Sequence, residues 1–191
     1  MRRNILLLRH GEVQGEAVYR GHQDDPLSPL GLQQMHASTE GYTWTHMTAS
    51  PSQRCAAFMH AHSGTTQALD ARWQELYFGT WEGQTYAQIC AQDRQLIDQF
   101  WQDPSRTTPP QGESLASLQQ RVMAAWQAAC AQPHQTHLIV THGGPIRIII
   151  AHLTGVPLAQ LPTIPVPHAC LSHIKLSEHG VILHQHGGSA C

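Results

Sequence analysis

The sequence predicts an α/β protein: a three-layer αβα sandwich around a mostly parallel central sheet, with a small helical insertion over one end of that sheet. Three observations carry this. Short apolar runs alternate with helical patterns along the chain, the signature of stacked strand–helix units. Two of the runs, Ile5-Leu6-Leu7-Leu8 and Leu138-Ile139-Val140, are continuous rather than alternating, as strands covered on both faces are. The alternation breaks once, over residues 79–112, where a polar helical stretch ends in the loop TTPPQGES.

The elements follow in order. The first strand stops without a turn on Arg9-His10-Gly11. Ser28-Pro29 opens a helix, a capping hydroxyl followed by a first-turn proline. A second strand fits 44–48. Ser50-Pro51-Ser52-Gln53 has the S-x-x-Q form of a capping box and opens the next helix, which Gly64 can close. A weaker third strand fits 67–70. Leu115, Leu118, Val122, Trp126 and Ala129 recur at helical spacing and mark one buried stripe on a long helix. A fourth strand fits 137–141, Pro145 starts a helix that Gly155 ends, and two strands fit 171–176 and 181–184. Without repeats or low-complexity tracts, residues 1–191 read as a single domain.

Composition narrows the function. A chain of 191 residues buries roughly 70% of the surface its unfolded form exposes, enough for one real core. Only 13% of residues are charged and the net charge is −2, which offers no basic face for nucleic acid and no polybasic membrane anchor. Met1-Arg2-Arg3 has the charged character of a leader, but the apolar run behind it is too short, and no stretch approaches a membrane span. A cytoplasmic location is expected. Five widely spaced cysteines, Cys55, Cys90, Cys130, Cys170 and Cys191, with no CxxC, point to reduced thiols. Most of the 15 histidines, among them the pairs His60/His62, His134/His137 and His184/His186, lack carboxylate company and read as surface or hydrogen-bonded residues rather than metal ligands.

Open α/β sheets bind ligands beyond the carboxyl ends of their strands. Here those ends are unusual. The first delivers Arg9, His10 and Gly11; the second leads into a helix whose first turn holds Arg54; the fourth delivers Thr141-His142-Gly143-Gly144. Two arginines, two histidines and the positive ends of helices converge if these strands are neighbours, which makes an anion site. Each piece alone is weak; their joint occurrence at strand ends is not. A phosphate held by two arginines needs a nucleophile, for which neutral imidazole serves, and an acid for the leaving alkoxide. The stretch RWQELYFGTWEG offers Glu75 and Glu82 among aromatic residues. Glu75 follows the third strand and should lie at the carboxyl edge; Glu82 follows Gly79, where the chain is leaving that edge, and reads as a loop hydrogen-bonding residue.

The motifs LLRHGEV, GHQDDPLSPLG, ASPSQRCAAF, LYFGTWEG, PPQGES and LIVTHGG, in this order and spacing, resemble the histidine phosphatase superfamily, also called phosphoglycerate mutase-like, over nearly the whole chain. The resemblance implies the phosphoglycerate mutase-like fold, with the insertion over the active site. It makes His10 the nucleophile that becomes phosphohistidine, with Arg9, Arg54 and His142 completing the phosphate pocket. Glu75 becomes the proton donor and later the base. The backbone around Gly11, Gly21 and Gly143 is expected near the phosphate. Many members carry an Asn shortly after RHG; this chain has Gly15-Glu16 there, and Gln14 is the candidate substitute. The stretches RGHQDDPLSPLG, FGTWEGQTY, FWQDP, THGGPIRIII and VPHACL are most similar to α-ribazole-5′-phosphate phosphatases of cobalamin assembly. The implied enzyme is a metal-independent phosphomonoesterase without cofactor, acting on a small phosphate ester and releasing inorganic phosphate, and a homodimer is compatible with it. A broad-specificity phosphatase, a phosphoglycerate mutase, a phosphoprotein phosphatase and an inactive phosphate-binding member are the alternatives. A metal-dependent hydrolase would need clustered carboxylate ligands; His10-Gly11-Glu12 is a single HxE pair, and no DxD pair accompanies it near His10 or His142.

Overall fold

The computed structural model describes residues 3–187. Six strands form one sheet: β1 (Arg3–Arg9), β2 (His46–Ala49), β3 (Thr66–Leu69), β4 (Thr136–Thr141), β5 (Leu171–Ser177) and β6 (Gly180–His186), in the order β3-β2-β4-β1-β5-β6. The first four in this order run parallel; β5 is antiparallel to β1, and β6 to β5. Helices α1 (Pro29–Thr39), α2 (Gln53–His60), α3 (Tyr86–Gln102), α4 (Leu115–Ala131) and α5 (Gly143–Thr154) complete the mixed α/β fold of the predicted class.

Side-chain alternation along the central strands builds the layers. Ile5, Leu7 and Ile139 pack with Leu118, Val122, Trp126 and Ile146 of α4 and α5. Leu6, Leu8, Leu138 and Val140 point the other way, onto Met35 of α1 and Cys55 and Phe58 of α2. The predicted α4 stripe is buried throughout.

Register is what matters for function. Leu8 and Ala49 both pair with Val140, and Arg9 pairs with Thr141. Strands β2, β4 and β1 are therefore adjacent and end level, which sets Ser50, His142 and His10 side by side one or two residues further on.

Two helix starts differ from expectation. Ser28 caps α1 as predicted, accepting from the Gly31 amide at 2.9 Å. The capping box at Ser50 does not form: α2 begins at Gln53 after Ser52, and the Gln53 amide is met by Asp24 at 2.7 Å instead. The Ser50 hydroxyl is occupied elsewhere, by His142 at 2.8 Å. Helix α5 begins at Gly143, two residues before Pro145, and ends as predicted at Gly155 in the left-handed conformation. Gly64 lies in the turn after α2, which has already ended at His60.

Within 79–112, α3 is kinked at Asp93, whose backbone leaves the helical region. The Asp93 carboxylate accepts from the Leu96 amide at 3.0 Å, as an N-cap does, so a second helical segment starts there. Cys55, Cys90, Cys130 and Cys170 are free thiols; Cys191, like Met1 and Arg2, lies outside the described residues. No helix among the described residues is long and apolar enough to cross a membrane.

Candidate active site

His10 is the first residue beyond β1 and is buried. Its backbone is held on both sides: its amide donates to Thr141 O at 3.0 Å, and its carbonyl accepts from the Ala169 amide at 3.1 Å. Its Nδ1 lies 2.8 Å from the Gly11 carbonyl oxygen. A carbonyl only accepts, so Nδ1 carries the proton and Nε2 keeps its lone pair. Burial, then the charges of Arg9 and Arg54, push the His10 pKa well below its ordinary value and keep the ring neutral.

His142 is fully buried at the N-cap of α5. Its Nε2 bonds the Ser50 hydroxyl, and its ring centroid lies 5.2 Å from that of His10. Burial first, then Arg54, His10 and Arg9, hold its pKa far below the usual imidazole range.

Arg54, in the first turn of α2, is also fully buried. It donates to the carbonyls of Gln23 and Gly21, at 2.7 Å each. Arg9 donates to Val166 O at 2.6 Å. The pKa of Arg9 is lowered by burial, with the nearby Glu75 opposing that shift. None of the ion pairs among the described residues involves Arg9, Arg54 or Arg147. Seven buried side-chain polar atoms among these residues lack a partner, and three of them, Arg9 Nε, Arg54 Nε and His142 Nδ1, belong to this cluster. The two arginine Nε–H groups are donors, and buried donors without acceptors are costly unless an anion meets them.

The open cleft they adjoin has a volume of about 430 Å³ and is walled by Arg9, His10, Glu75, Gly143, Arg147 and His168, with Tyr19, Phe78, Tyr86 and Trp101 on the aromatic side. Glu75 does not leave the third strand directly. The chain first makes a 3₁₀ turn, Ala71–Trp73, pinned where Thr141 Oγ1 donates to Trp73 O at 2.6 Å. Arg121 then clamps the segment, donating to Gln74 O at 2.7 Å and Glu75 O at 2.8 Å while pairing with Glu113. The Glu75 carboxylate accepts from the Gly144 amide at the start of α5, 3.1 Å from each oxygen. A Cβ on Gly144 would sit 2.2 Å from Glu75 Oε1, so a larger residue there would push the carboxylate aside.

Glu82 does not line the cleft. Its carboxylate gathers the amides of Gly21, His22, Gln23 and Phe78 at 2.7–3.2 Å. Tyr19 is tied to the same region: its carbonyl accepts from the Gly83 amide, its amide donates to Gln84 O, and its hydroxyl accepts from Trp101 Nε1 at 2.6 Å.

The structure thus brings Arg9, His10, Arg54, Glu75, His142 and Gly143 together. Gly11 and Gly21 are closely packed on the side where a Cβ would stand. A Cβ on Gly11 would meet Gly31 O of α1 at 2.0 Å, and one on Gly21 would meet Leu76 O at 2.0 Å, so both serve close backbone packing. Gln14 is exposed, and its side-chain amide donates to Leu27 O at 3.3 Å. Sequence reasoning missed Ser50, Gly144, Arg121, Arg147 and His168. Arg147 left a signal, a lone cation in the apolar run of α5. His168 did so less plainly: it precedes β5, and because β5 is antiparallel its beginning lies beside the end of β1. Burial, then Arg9, lowers the His168 pKa to about 4. Among the described residues no group of three or more His, Cys, Asp or Glu side chains is placed to hold a metal ion. Of the histidine pairs, His137 is buried against the Thr48 hydroxyl at 2.8 Å, and His134 stacks on His46.

Comparison with known proteins agrees with this geometry. The histidine phosphatase superfamily (branch 1) model matches residues 5–187. The chain belongs to the histidine phosphatase superfamily. The adenosylcobalamin/alpha-ribazole phosphatase of Escherichia coli (strain K12) is 25% identical over 183 residues, covering 91% of this chain and 90% of that protein. The structure of Bacillus stearothermophilus YhfR superposes with a TM-score of 0.90 at 27% identity, covering 98% of both chains. A mycobacterial glucosyl-3-phosphoglycerate phosphatase in complex with inorganic phosphate gives a TM-score of 0.80 at 26% identity, also over 98% of each chain. As a histidine phosphatase, the protein is a phosphoric monoester hydrolase.

Proposed function

We propose that the protein hydrolyses small-molecule phosphate monoesters in two in-line steps through a phosphohistidine at His10. The observation that carries this is the His10 Nδ1–Gly11 O bond, which leaves Nε2 unprotonated beside donors with no protein partner. In the first step the Nε2 lone pair forms a bond to phosphorus. The bond from phosphorus to the ester oxygen breaks, and that oxygen takes its electron pair and the proton of Glu75. In the second step Glu75, now a carboxylate, takes a proton from water; the water oxygen bonds phosphorus, and the P–N bond returns its pair to His10. Arg9, Arg54 and His142 meet the charge on the equatorial oxygens, the role of preorganised donors. Both His10 and Glu75 are held by backbone groups, which fixes their approach.

Within this class the proposed substrate is α-ribazole-5′-phosphate, placing the reaction in cobalamin nucleotide-loop assembly. The support is the run of motifs from RGHQDDPLSPLG to VPHACL and an aromatic wall, Tyr19, Phe78, Tyr86 and Trp101, suited to a heteroaromatic base. Relatives at similar identity are named for different esters, so the second reading is a broad-specificity small-molecule phosphatase. Phosphate release from a panel including α-ribazole-5′-phosphate and 3-phosphoglycerate decides. A kcat/KM for α-ribazole-5′-phosphate at least tenfold above the rest is expected, and equal values would favour the broad reading.

A further inference from the structure

A second, smaller pocket abuts the cleft and is lined mainly by apolar side chains. Leu115 and Leu118 of α4, Phe100 of α3 and Leu161 form its floor and sides. It shares Glu75, Phe78, Trp101 and Arg147 with the cleft, but neither His10 nor Arg9 borders it. We infer that this pocket behind Glu75 is the subsite for the leaving alcohol, and that the natural ester carries a flat apolar or aromatic group there.

The inference rests on the phosphohistidine reading and follows from its geometry. In-line attack from His10 sends the leaving oxygen out on the opposite side of phosphorus. The group that protonates that oxygen must be within hydrogen-bond reach of it. Glu75 is that group, so whatever the oxygen carries extends past Glu75. Of the two pockets that Glu75 borders, this one does not touch the nucleophile, and it continues the aromatic wall of the cleft through Phe78 and Trp101. Small-molecule sites are mostly apolar with a few placed polar groups, which is the character of this lining.

The lining selects among leaving groups. A polyanionic alcohol would give up its hydration against leucine and phenylalanine and be disfavoured. An aromatic group would gain the same contact. The charged groups on the shared wall are Glu75 and Arg147, and Arg147 already gives its Nε–H to Ile164 O at 2.9 Å. Trp101 stands at the boundary with 41% of its surface exposed, its indole N–H fixed on Tyr19. An exposed tryptophan held in place at a cavity mouth is suited to stacking a flat ring.

The test is a series of ethyl, butyl, hexyl and benzyl phosphates, whose alcohols differ mainly in apolar size. For the wild-type protein kcat/KM should rise about fourfold per methylene newly buried until the pocket is full. Hexylphosphonate, which cannot be hydrolysed, should compete more tightly than ethylphosphonate. Leu161→Trp, which fills the pocket, should lower the hexyl-to-ethyl ratio of kcat/KM at least tenfold, and Leu161→Ala should move the optimum to a longer ester. A flat wild-type profile overturns the subsite while leaving the phosphatase reading intact, and so does a ratio that neither variant moves. No turnover of any ester, p-nitrophenyl phosphate included, overturns the phosphohistidine reading instead.

Discussion

His10 donates its Nδ1–H to the carbonyl of Gly11, its own neighbour in the chain, and so presents Nε2 as a base in a site crowded with cations. His10→Ala should abolish turnover and acid-labile labelling by substrate phosphate while the fold persists by circular dichroism. Because burial and two guanidinium groups depress the His10 pKa, the neutral ring persists below pH 6.5. The acid limb of kcat/KM should accordingly lie below that value. A limb at or above pH 6.5, or full activity in the alanine variant, contradicts the assignment.

Arg9→Ala and Arg54→Ala should each lower kcat/KM by at least about a hundredfold, the scale of one lost transition-state donor. Vanadate and inorganic phosphate should inhibit both variants more weakly. The two are not equivalent, however. Arg54 also holds the carbonyls of Gly21 and Gln23, so its loss should lower the melting temperature as well. Unchanged inhibition constants in both variants would contradict the shared anion site.

The two glutamates separate by leaving group. Glu75→Gln should slow hydrolysis of alkyl phosphates strongly and of p-nitrophenyl phosphate much less, because phenolate leaves with little protonic help. Glu82→Gln should show no such dependence. It should instead destabilise the protein by about 1–3 kcal/mol, since an amide cannot accept from all four backbone N–H groups at once. Measuring kcat on both substrates together with the melting temperature decides between them. The reverse pattern would exchange the roles.

Acid should begin to destabilise the protein before its carboxylates titrate. Burial, and then His46 and His134, lower the His137 pKa to about 3. Between pH 6.5 and about 3 the unfolded chain binds a proton that the folded one refuses. This contribution to stability is therefore complete above pH 6.5 and lost progressively as the pH falls through that window. His10 and His142 shift in the same direction. The urea midpoint should drop from pH 7 to pH 5, and His137→Gln should flatten the slope by up to one proton. A midpoint independent of pH over this interval would refute the linkage.

Much of this site was readable because parallel strands advertise themselves. A continuous apolar run that stops on Arg9-His10-Gly11, and another that stops on His142-Gly143, could be placed at one sheet edge without coordinates. What failed to show has physical reasons. Ser50 looked like a helix cap because capping and histidine orientation use the same hydroxyl, and the local pattern does not say which partner wins. His168 comes before a strand rather than after one, and only the antiparallel pairing of β5 with β1 makes those positions neighbours. Glu75 reaches the cleft through the Arg121 clamp, a contact spanning 46 positions that no local pattern encodes. The Asp93 kink was invisible within a stretch whose composition is helical on both sides.

The hydrogen bonds from the amides of residues 21–23 to Glu82, from Gly83 to Tyr19 and from Trp101 to Tyr19 bind three distant stretches of chain into one mechanical piece. Inheritance and engineering both feel this. A loop transplanted singly from a relative would arrive with half of each fastening, and its amides or its carboxylate would hang unmatched. The cleft rim is in effect a cassette, and it should be exchanged between family members whole, 19–23 with 77–84 and the second half of α3, or not at all.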